Sequence, residues 1–143
     1  MRRAGGRSVQ GYNVQVAASA EQFILAAHVT QARNDADQLQ PMVDHTTAAL
    51  ARAGIDEQLG TVLADGGYWN TSQISAVRAR GIDVLAPTKN RKRSAPRTLS
   101  TRQGPEAERI EQILDTDQGR ALYRRRQQLG RAGLCPHQVP AAH

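Results

Sequence analysis

Residues 62–69 have the sequence Val-Leu-Ala-Asp-Gly-Gly-Tyr-Trp, an apolar segment that runs into a carboxylate and then into two glycines. This pattern predicts a short buried strand that ends in a tight turn, with Asp65 at the exposed carboxyl end of the strand. In open α/β sheets the ligand crevice lies at the carboxyl ends of the strands, so an acid there is well placed to hold a metal ion. The alternative is that Asp65 and Gly66 form a common turn dipeptide with no further role.

The segment before this octapeptide predicts a hairpin and a helix. Residues 12–17 alternate as a half-buried strand does, and residues 23–29 form a short apolar run, so the two predict an antiparallel pair. From Asp37 onward the apolar residues fall at helical spacing. Asp37 is placed as the N-cap of this helix, and Gly54 is placed to end it.

The segment after the hairpin and helix predicts a βαβ unit. Residues 61–64 form one strand and residues 82–86 the next, with a helix between them that Asn70 or Thr71 can cap and Gly81 can end. Strands joined by a short helical crossover are parallel.

Composition limits the class of protein. The 143 residues suffice for one domain, and a net charge of +6 suits a polyanionic partner such as nucleic acid. The single cysteine, Cys135, excludes an internal disulfide and a cysteine-based zinc site, and the four histidines show no metal-ligand spacing. No apolar stretch is long enough to span a membrane and no signal region follows Met1, so we expect a cytoplasmic protein without a membrane partner.

Residues 87–104 carry no acid and are rich in Lys and Arg. They predict a basic loop, which either contacts phosphates or is a solvated linker. Residues 106–114 and 118–129 follow as helical segments. The candidate DNA-binding residues of the loop and of the second helix are Lys89, Arg91, Lys92, Arg93, Arg97, Tyr123, Arg124 and Arg126.

Several short motifs together resemble the catalytic domain of DDE-type transposases of bacterial insertion sequences, over about residues 7–129. In chain order they are Val-Gln-Gly-Tyr-Asn-Val-Gln at 9–15, His-Val-Thr-Gln at 28–31, Asn-Asp at 34–35, Gln-Leu-Gln-Pro-Met at 38–42 and Leu-Ala-Asp-Gly-Gly-Tyr-Trp at 63–69. The resemblance implies an α/β fold with an incomplete ribonuclease H-like mixed sheet, made of an antiparallel hairpin plus a βαβ unit with flanking helices.

The resemblance also implies a catalytic site in which three carboxylates hold two Mg²⁺ ions. Asp65 matches the second carboxylate, as a catalytic residue and metal ligand. The first belongs to an Asp-Pro-Asp-Ser-Arg segment that we expect before the position of Met1. The third is a glutamate in a Val-Glu-Pro-Val-Phe segment after Tyr-x-x-Arg; Tyr123 and Arg126 match the latter, but the glutamate is missing. We therefore expect that two of the three carboxylates are lost.

A one-nucleotide frameshift near codon 130 accounts for the lost glutamate, because one extra G converts that segment and its continuation into the tail found here. On this basis the chain divides into a partial ribonuclease H-like core (1–86), a basic loop (87–104), a C-terminal helical segment (105–129) and an irregular, frameshifted tail (130–143). Sequencing the gene tests this hypothesis, since the next frame must encode the missing motif.

Three hypotheses of function follow. The first is a transposase of a mobile element, which acts on DNA at the element ends by Mg²⁺-dependent strand cleavage and transfer, is a homo-oligomer in the intact family, and survives here as a truncated, inactive remnant. The second is a non-enzymatic basic DNA-binding fragment. The third is the product of a broken gene that has no stable function.

Overall fold

The computed structural model describes residues 11–88 and 104–131 of the chain. In chain order the elements are β1 (Asn13–Ala18), β2 (Ile24–Thr30), α1 (Leu39–Arg52), β3 (Thr61–Leu63), a single 3₁₀ turn (Gly66–Tyr68), α2 (Thr71–Arg78), β4 (Asp83–Leu85), α3 (Gly104–Asp115) and α4 (Asp117–Arg131).

The predicted antiparallel hairpin is confirmed. Strands β1 and β2 pair from Asn13 opposite Thr30, with a bulge near the turn. The hydroxyl of Ser19 accepts the backbone N–H groups of Glu21 and Phe23 and so fixes the turn between the strands. The burial pattern along β1 is the reverse of what its apolar and polar residues would suggest. Its polar Gln15 is 2% exposed, while the valines on either side of it remain exposed.

Helix α1 forms where its apolar spacing predicts it, with Leu39, Met42 and Val43 buried. The predicted N-cap was wrong. Gln38 occupies the cap position without a side-chain cap bond, because the Asp37 carboxylate accepts a hydrogen bond from the Asn70 amide at 2.8 Å instead. Tertiary pairing has therefore displaced a local cap.

The βαβ unit is also confirmed. Strands β3 and β4 are parallel, with Thr61 opposite Asp83, and helix α2 begins at Asn70, whose side-chain oxygen accepts the N–H groups of Ser72 and Gln73. At the end of this helix, Gly81 adopts a φ of +80°, which a residue with a Cβ rarely adopts.

One apolar core joins the helices to the parallel strands. Most of its members lie on or next to α1, α2, β4 and α3, and the largest fully buried side chains are Leu39, Ile74, Val77, Val84 and Ile110. An ion pair links two of these helices beside the core: Arg78 on α2 contacts Glu106 on α3 at 2.6 Å.

The two pairs of strands do not form one continuous sheet. Within residues 11–88 and 104–131, β1 pairs only with β2 and β3 only with β4. A cavity of about 630 Å³ separates the pairs and is lined by consecutive residues of β1 (16–18) and of the β3 segment (61–65). Consecutive lining residues indicate strand edges, because a sheet face would present alternate residues. Strand β3 was predicted to be buried, but beside this cavity Thr61 is exposed and Val62 is only half-buried.

The fold is therefore a mixed α/β structure with an antiparallel pair, a parallel pair and four helices over the two ranges that the structure describes. In those ranges no helix combines the length and the hydrophobicity that crossing a bilayer requires.

Candidate active site

Asp65 lies at the predicted place, directly after the carboxyl end of β3. The backbone N–H of Ala64 still donates to Leu85 of the neighbouring strand at 3.0 Å, and the chain then turns. The Asp65 carboxylate caps that turn by accepting the N–H of Gly67 at 2.8 Å. Asp65 itself is exposed and lines the cavity between the strand pairs. Its position is thus confirmed, and its chemical role remains a prediction.

Helix α4 packs across the same strand end. The Tyr123 hydroxyl donates to the carbonyl of Ala64 at 3.1 Å, one residue before the carboxylate. The guanidinium of Arg126 stacks over the Tyr123 ring at 5.2 Å, and Arg125 and Arg126 line the cavity together with Asp65. Tyr123 and Arg126 are two of the residues predicted from the sequence to bind DNA.

Arg126 carries an unused hydrogen-bond donor. Its Nε atom is buried and has no partner among the residues that the structure describes. A buried donor without a partner costs about 1–3 kcal/mol. This N–H group is therefore suited to donate a hydrogen bond to an oxygen of a bound anion.

A second carboxylate, that of Asp35, lies beside Asp65. The two approach each other over Gly67: a Cβ added there would lie 2.8 Å from Asp65 Oδ1 and 3.2 Å from Asp35 Oδ2. Asp35 belongs to the segment between β2 and α1, so two segments distant in sequence converge on one glycine. Among the motifs quoted above, the Asn-Asp pair at 34–35 includes this residue, but nothing local marked it as part of the site.

Asp35 is held by two amides of β1. Its Oδ1 atom accepts from Asn13 Nδ2 at 2.7 Å and from Gln15 Nε2 at 2.8 Å. Residues 13 and 15 point to the same face of the strand because side chains alternate along it, which explains why a polar residue is buried there. The other atom of the Gln15 amide, Oε1, is buried and has no hydrogen-bond partner in the described part of the chain.

The phenol of Tyr68 lies close enough to both carboxylates to be affected by them. Its pKa is raised to about 12, first by burial and then by the negative charges of Asp35 and Asp65. The neutral phenol is therefore strongly favoured beside these two acids.

The side chains present suit one hard cation. Two carboxylates with water and substrate oxygens are a usual environment for Mg²⁺, and the orphaned Gln15 oxygen adds a further acceptor. All thirteen acidic residues fall within residues 11–88 and 104–131, and there no three or more His, Cys, Asp or Glu side chains are grouped to hold a metal. The acids of this sequence do not assemble the three-carboxylate, two-ion arrangement.

The remaining predicted site residues are the DNA-binding candidates of the basic loop and Arg124. Lys89, Arg91, Lys92, Arg93 and Arg97 lie outside the described residues. Arg124 is exposed on α4.

Two of the four histidines meet in the fold. His28 and His45 stack against each other with ring centroids 4.4 Å apart. His137 and His143 lie outside the residues that the structure describes.

Comparison with known proteins identifies the family. Searches of curated proteins and of solved structures each gave no match. Residues 2–131, most of the chain, match the family described as Transposase DDE domain. Because this match covers well over half of the sequence, the chain belongs to the DDE transposase family.

Proposed function

We propose that this chain serves in the transposition of an insertion sequence, with Asp65 as a metal ligand in phosphodiester cleavage at the element ends. The observation that carries the proposal is the placement of Asp65 at a strand end, in a cavity that it shares with Arg125 and Arg126, in a DDE transposase domain. The parallel pair and the hairpin are compatible with two portions of a ribonuclease H-like sheet, which forms part of the same proposal.

The chain's own groups act on the phosphodiester as follows. Arg126 donates from Nε to a phosphoryl oxygen, in a charge-assisted bond that offsets negative charge as the bond to the leaving oxygen breaks. Tyr123 fixes α4 to the carbonyl of Ala64 and so sets the distance between Arg126 and Asp65. A bound Mg²⁺ would supply Lewis-acid stabilisation of the reacting oxygens.

The acids of the sequence limit what the polypeptide does alone. Two-ion phosphoryl transfer needs several carboxylates from different elements, and this site has Asp65 with Asp35 beside it. We infer that the polypeptide binds DNA but requires a further carboxylate from outside this sequence for strand transfer. The division into a core (1–86), a basic loop (87–104), a helical segment (105–129) and a frameshifted tail (130–143) remains part of the proposal.

DNA binding is the first test. Anisotropy of a labelled terminal-repeat duplex should give binding that weakens steeply with salt, because each neutralised phosphate releases counterions. Arg126→Gln should weaken binding and reduce the salt slope by about one. Arg52→Gln, an exposed change at the far end of α1, is the matched control. Binding that is absent, or that is equally strong in the Arg126 variant, contradicts the proposed role.

Cleavage is the second test. Purified wild-type chain should show no Mg²⁺-dependent turnover of the same duplex by itself. Turnover that Asp65→Asn abolishes and Asp56→Asn leaves intact would show that the chain is an active enzyme and that the inferred dependence on an outside carboxylate is wrong.

A second candidate function is non-enzymatic, non-specific DNA binding. The net charge of +6 and the exposed Arg124 on α4 favour it. It predicts equal affinity for terminal-repeat and unrelated duplexes of the same length, whereas the transposase proposal predicts preference for the element ends.

A further inference from the structure

We propose that Asp35 is the second carboxylate ligand of a single divalent cation bound at Asp65, so that one hard-cation site joins the β1–β2 hairpin to the β3 turn. This inference rests on the proposed function in that Asp65 is taken there as a metal ligand. It adds a residue outside the three family carboxylates, together with the amide oxygen of Gln15.

The approach of the two carboxylates is the first argument. Asp35 Oδ2 and Asp65 Oδ1 both lie within 3.2 Å of the position of a Cβ on Gly67. Two carboxylates that approach each other favour a cation between them. Neither forms an ion pair with a Lys or Arg of the described ranges, so no described basic side chain already serves as their counter-ion.

The hydrogen bonds of the two acids are the second argument. Asp35 uses Oδ1 for the amides of Asn13 and Gln15, and Asp65 uses Oδ1 for the N–H of Gly67. No described donor reaches the Oδ2 atom of either residue. Each carboxylate is therefore oriented through one oxygen and retains the other for ligation, as carboxylates with outer-shell hydrogen bonds do in metal sites.

The buried amide oxygen is the third argument, and it is independent of the acids. Gln15 is 2% exposed and its Nε2 donates to Asp35, yet its Oε1 has no partner among residues 11–88 and 104–131. A buried acceptor that lacks a hydrogen-bond partner is destabilising. A hard cation at the two carboxylates, or a water in its coordination shell, would supply the missing partner because amide oxygens are ordinary ligands of such ions.

The alternative, that Asp35 only anchors the β1–β2 hairpin, explains fewer of these observations. Hydrogen bonds from two neutral amides would hold an isolated Asp35 against β1 equally well. That role requires neither the proximity of Asp65 nor a Gln15 oxygen without a donor. The cation accounts for both observations at once.

Luminescence of Tb³⁺ tests the site without any measurement of activity. Tb³⁺ is a hard, oxygen-seeking ion whose emission is sensitised by nearby aromatic rings, and Tyr68 ends the 3₁₀ turn that Asp65 caps, with Trp69 directly after it. The full-length chain should bind one Tb³⁺ with saturable emission that excess Mg²⁺ displaces. Asp35→Asn and Asp65→Asn should each weaken binding by at least about tenfold, the lower end of the loss seen when an outer-shell partner is removed. Asp56→Asn, an exposed acid after α1, should bind as wild type does.

The outcomes separate this inference from the proposed function. Loss in the Asp65 variant with normal binding in the Asp35 variant would overturn the role of Asp35 and leave Asp65 as a ligand. Absence of saturable binding in wild type would overturn the cation site, while salt-dependent DNA binding would still stand. Binding that survives both substitutions would place the ion elsewhere and also overturn it.

A second measurement needs no variant and so does not depend on a variant's folding. In it, amide NMR monitors a titration of the wild-type chain with Mg²⁺. The side-chain amides of Asn13 and Gln15 and the backbone amide of Gly67 should shift together along one binding curve. Shifts at Gly67 without shifts at Gln15 and Asn13 would contradict the shared site.

Discussion

Gly67→Ala is the substitution that most directly perturbs the paired carboxylates. The new Cβ would lie 2.8 Å from Asp65 Oδ1 and 3.2 Å from Asp35 Oδ2, and the first distance is shorter than a methyl group tolerates. Gly67 does not have a positive φ, so alanine is acceptable to the backbone there. The effect of the substitution comes from the side chains that the methyl group displaces.

The cost in folding free energy should be modest. Asp65 is exposed and its carboxylate can rotate away, which sacrifices the bond to the Gly67 N–H, a contribution of about 1 kcal/mol. The effect on cation binding should be much larger, because rotation carries Asp65 away from Asp35. We expect unfolding free energy to fall by about 1 kcal/mol and Tb³⁺ affinity to fall by at least about tenfold.

Urea unfolding and Tb³⁺ titration of the same samples measure the two effects. Gly60→Ala is the matched control, because a Cβ there meets nothing within 4 Å, and it should leave cation binding unchanged. If Gly67→Ala binds Tb³⁺ as tightly as wild type, the two carboxylates do not converge over this glycine and the reasoning fails. If it unfolds the chain outright, the estimate of a readily displaced side chain is refuted.

Three further predictions follow from individual contacts. Asn70→Ala removes the N-cap of α2 and the bond to Asp37, so thermal unfolding should show a loss of about 1–2 kcal/mol; no loss would show that the cap is not formed. Tyr123→Phe removes the bond to the Ala64 carbonyl and should cost about 1 kcal/mol in urea unfolding, with DNA affinity also reduced because Arg126 is less well held; unchanged values in both assays would contradict this. The raised pKa of Tyr68, about 12 against 10.0 when unfolded, favours the folded state fully below pH 10 and loses that contribution as the pH rises from 10 to 12; Tyr68→Phe should therefore show a shallower loss of stability across this range, and identical pH profiles would refute the shift.

Elements with a local cause could be predicted from the sequence. Asn70 caps α2 through bonds to N–H groups two and three residues ahead, and Gly81 provides the left-handed conformation just after the same helix. The position of Asp65 followed in the same way from an apolar run and two glycines. All three signals lie within a few residues of the feature that they specify.

Features that depend on tertiary contacts could not be predicted. The Asp37 cap was wrong because Asn70, a residue from another helix start, provides a competing donor. The strand of Gln15 alternates as predicted, but Gln15 is buried and its apolar neighbours are exposed. The reason is that Asp35 lies on that face of the strand and accepts a hydrogen bond from the Gln15 amide. A pattern of apolar and polar residues does not show which polar side chain has a partner, and the pairing of Asp35 with Asp65 left no signal in either segment.

Unpaired polar atoms of opposite character occur among the described residues of the site. On the side of the hairpin and the β3 turn, the carboxylates of Asp35 and Asp65 and the Gln15 oxygen leave an excess of acceptors, and of these three residues Asp65 lines the cavity. On the α4 side, Arg126 Nε is a donor for which the described ranges offer no acceptor, and Arg125 and Arg126 line the cavity together with Asp65. A cation alone would satisfy the first side, and an anion alone the second. A phosphodiester that offered one oxygen to the proposed cation and another to Arg126 would satisfy both sides, in keeping with the proposed binding of DNA at this site.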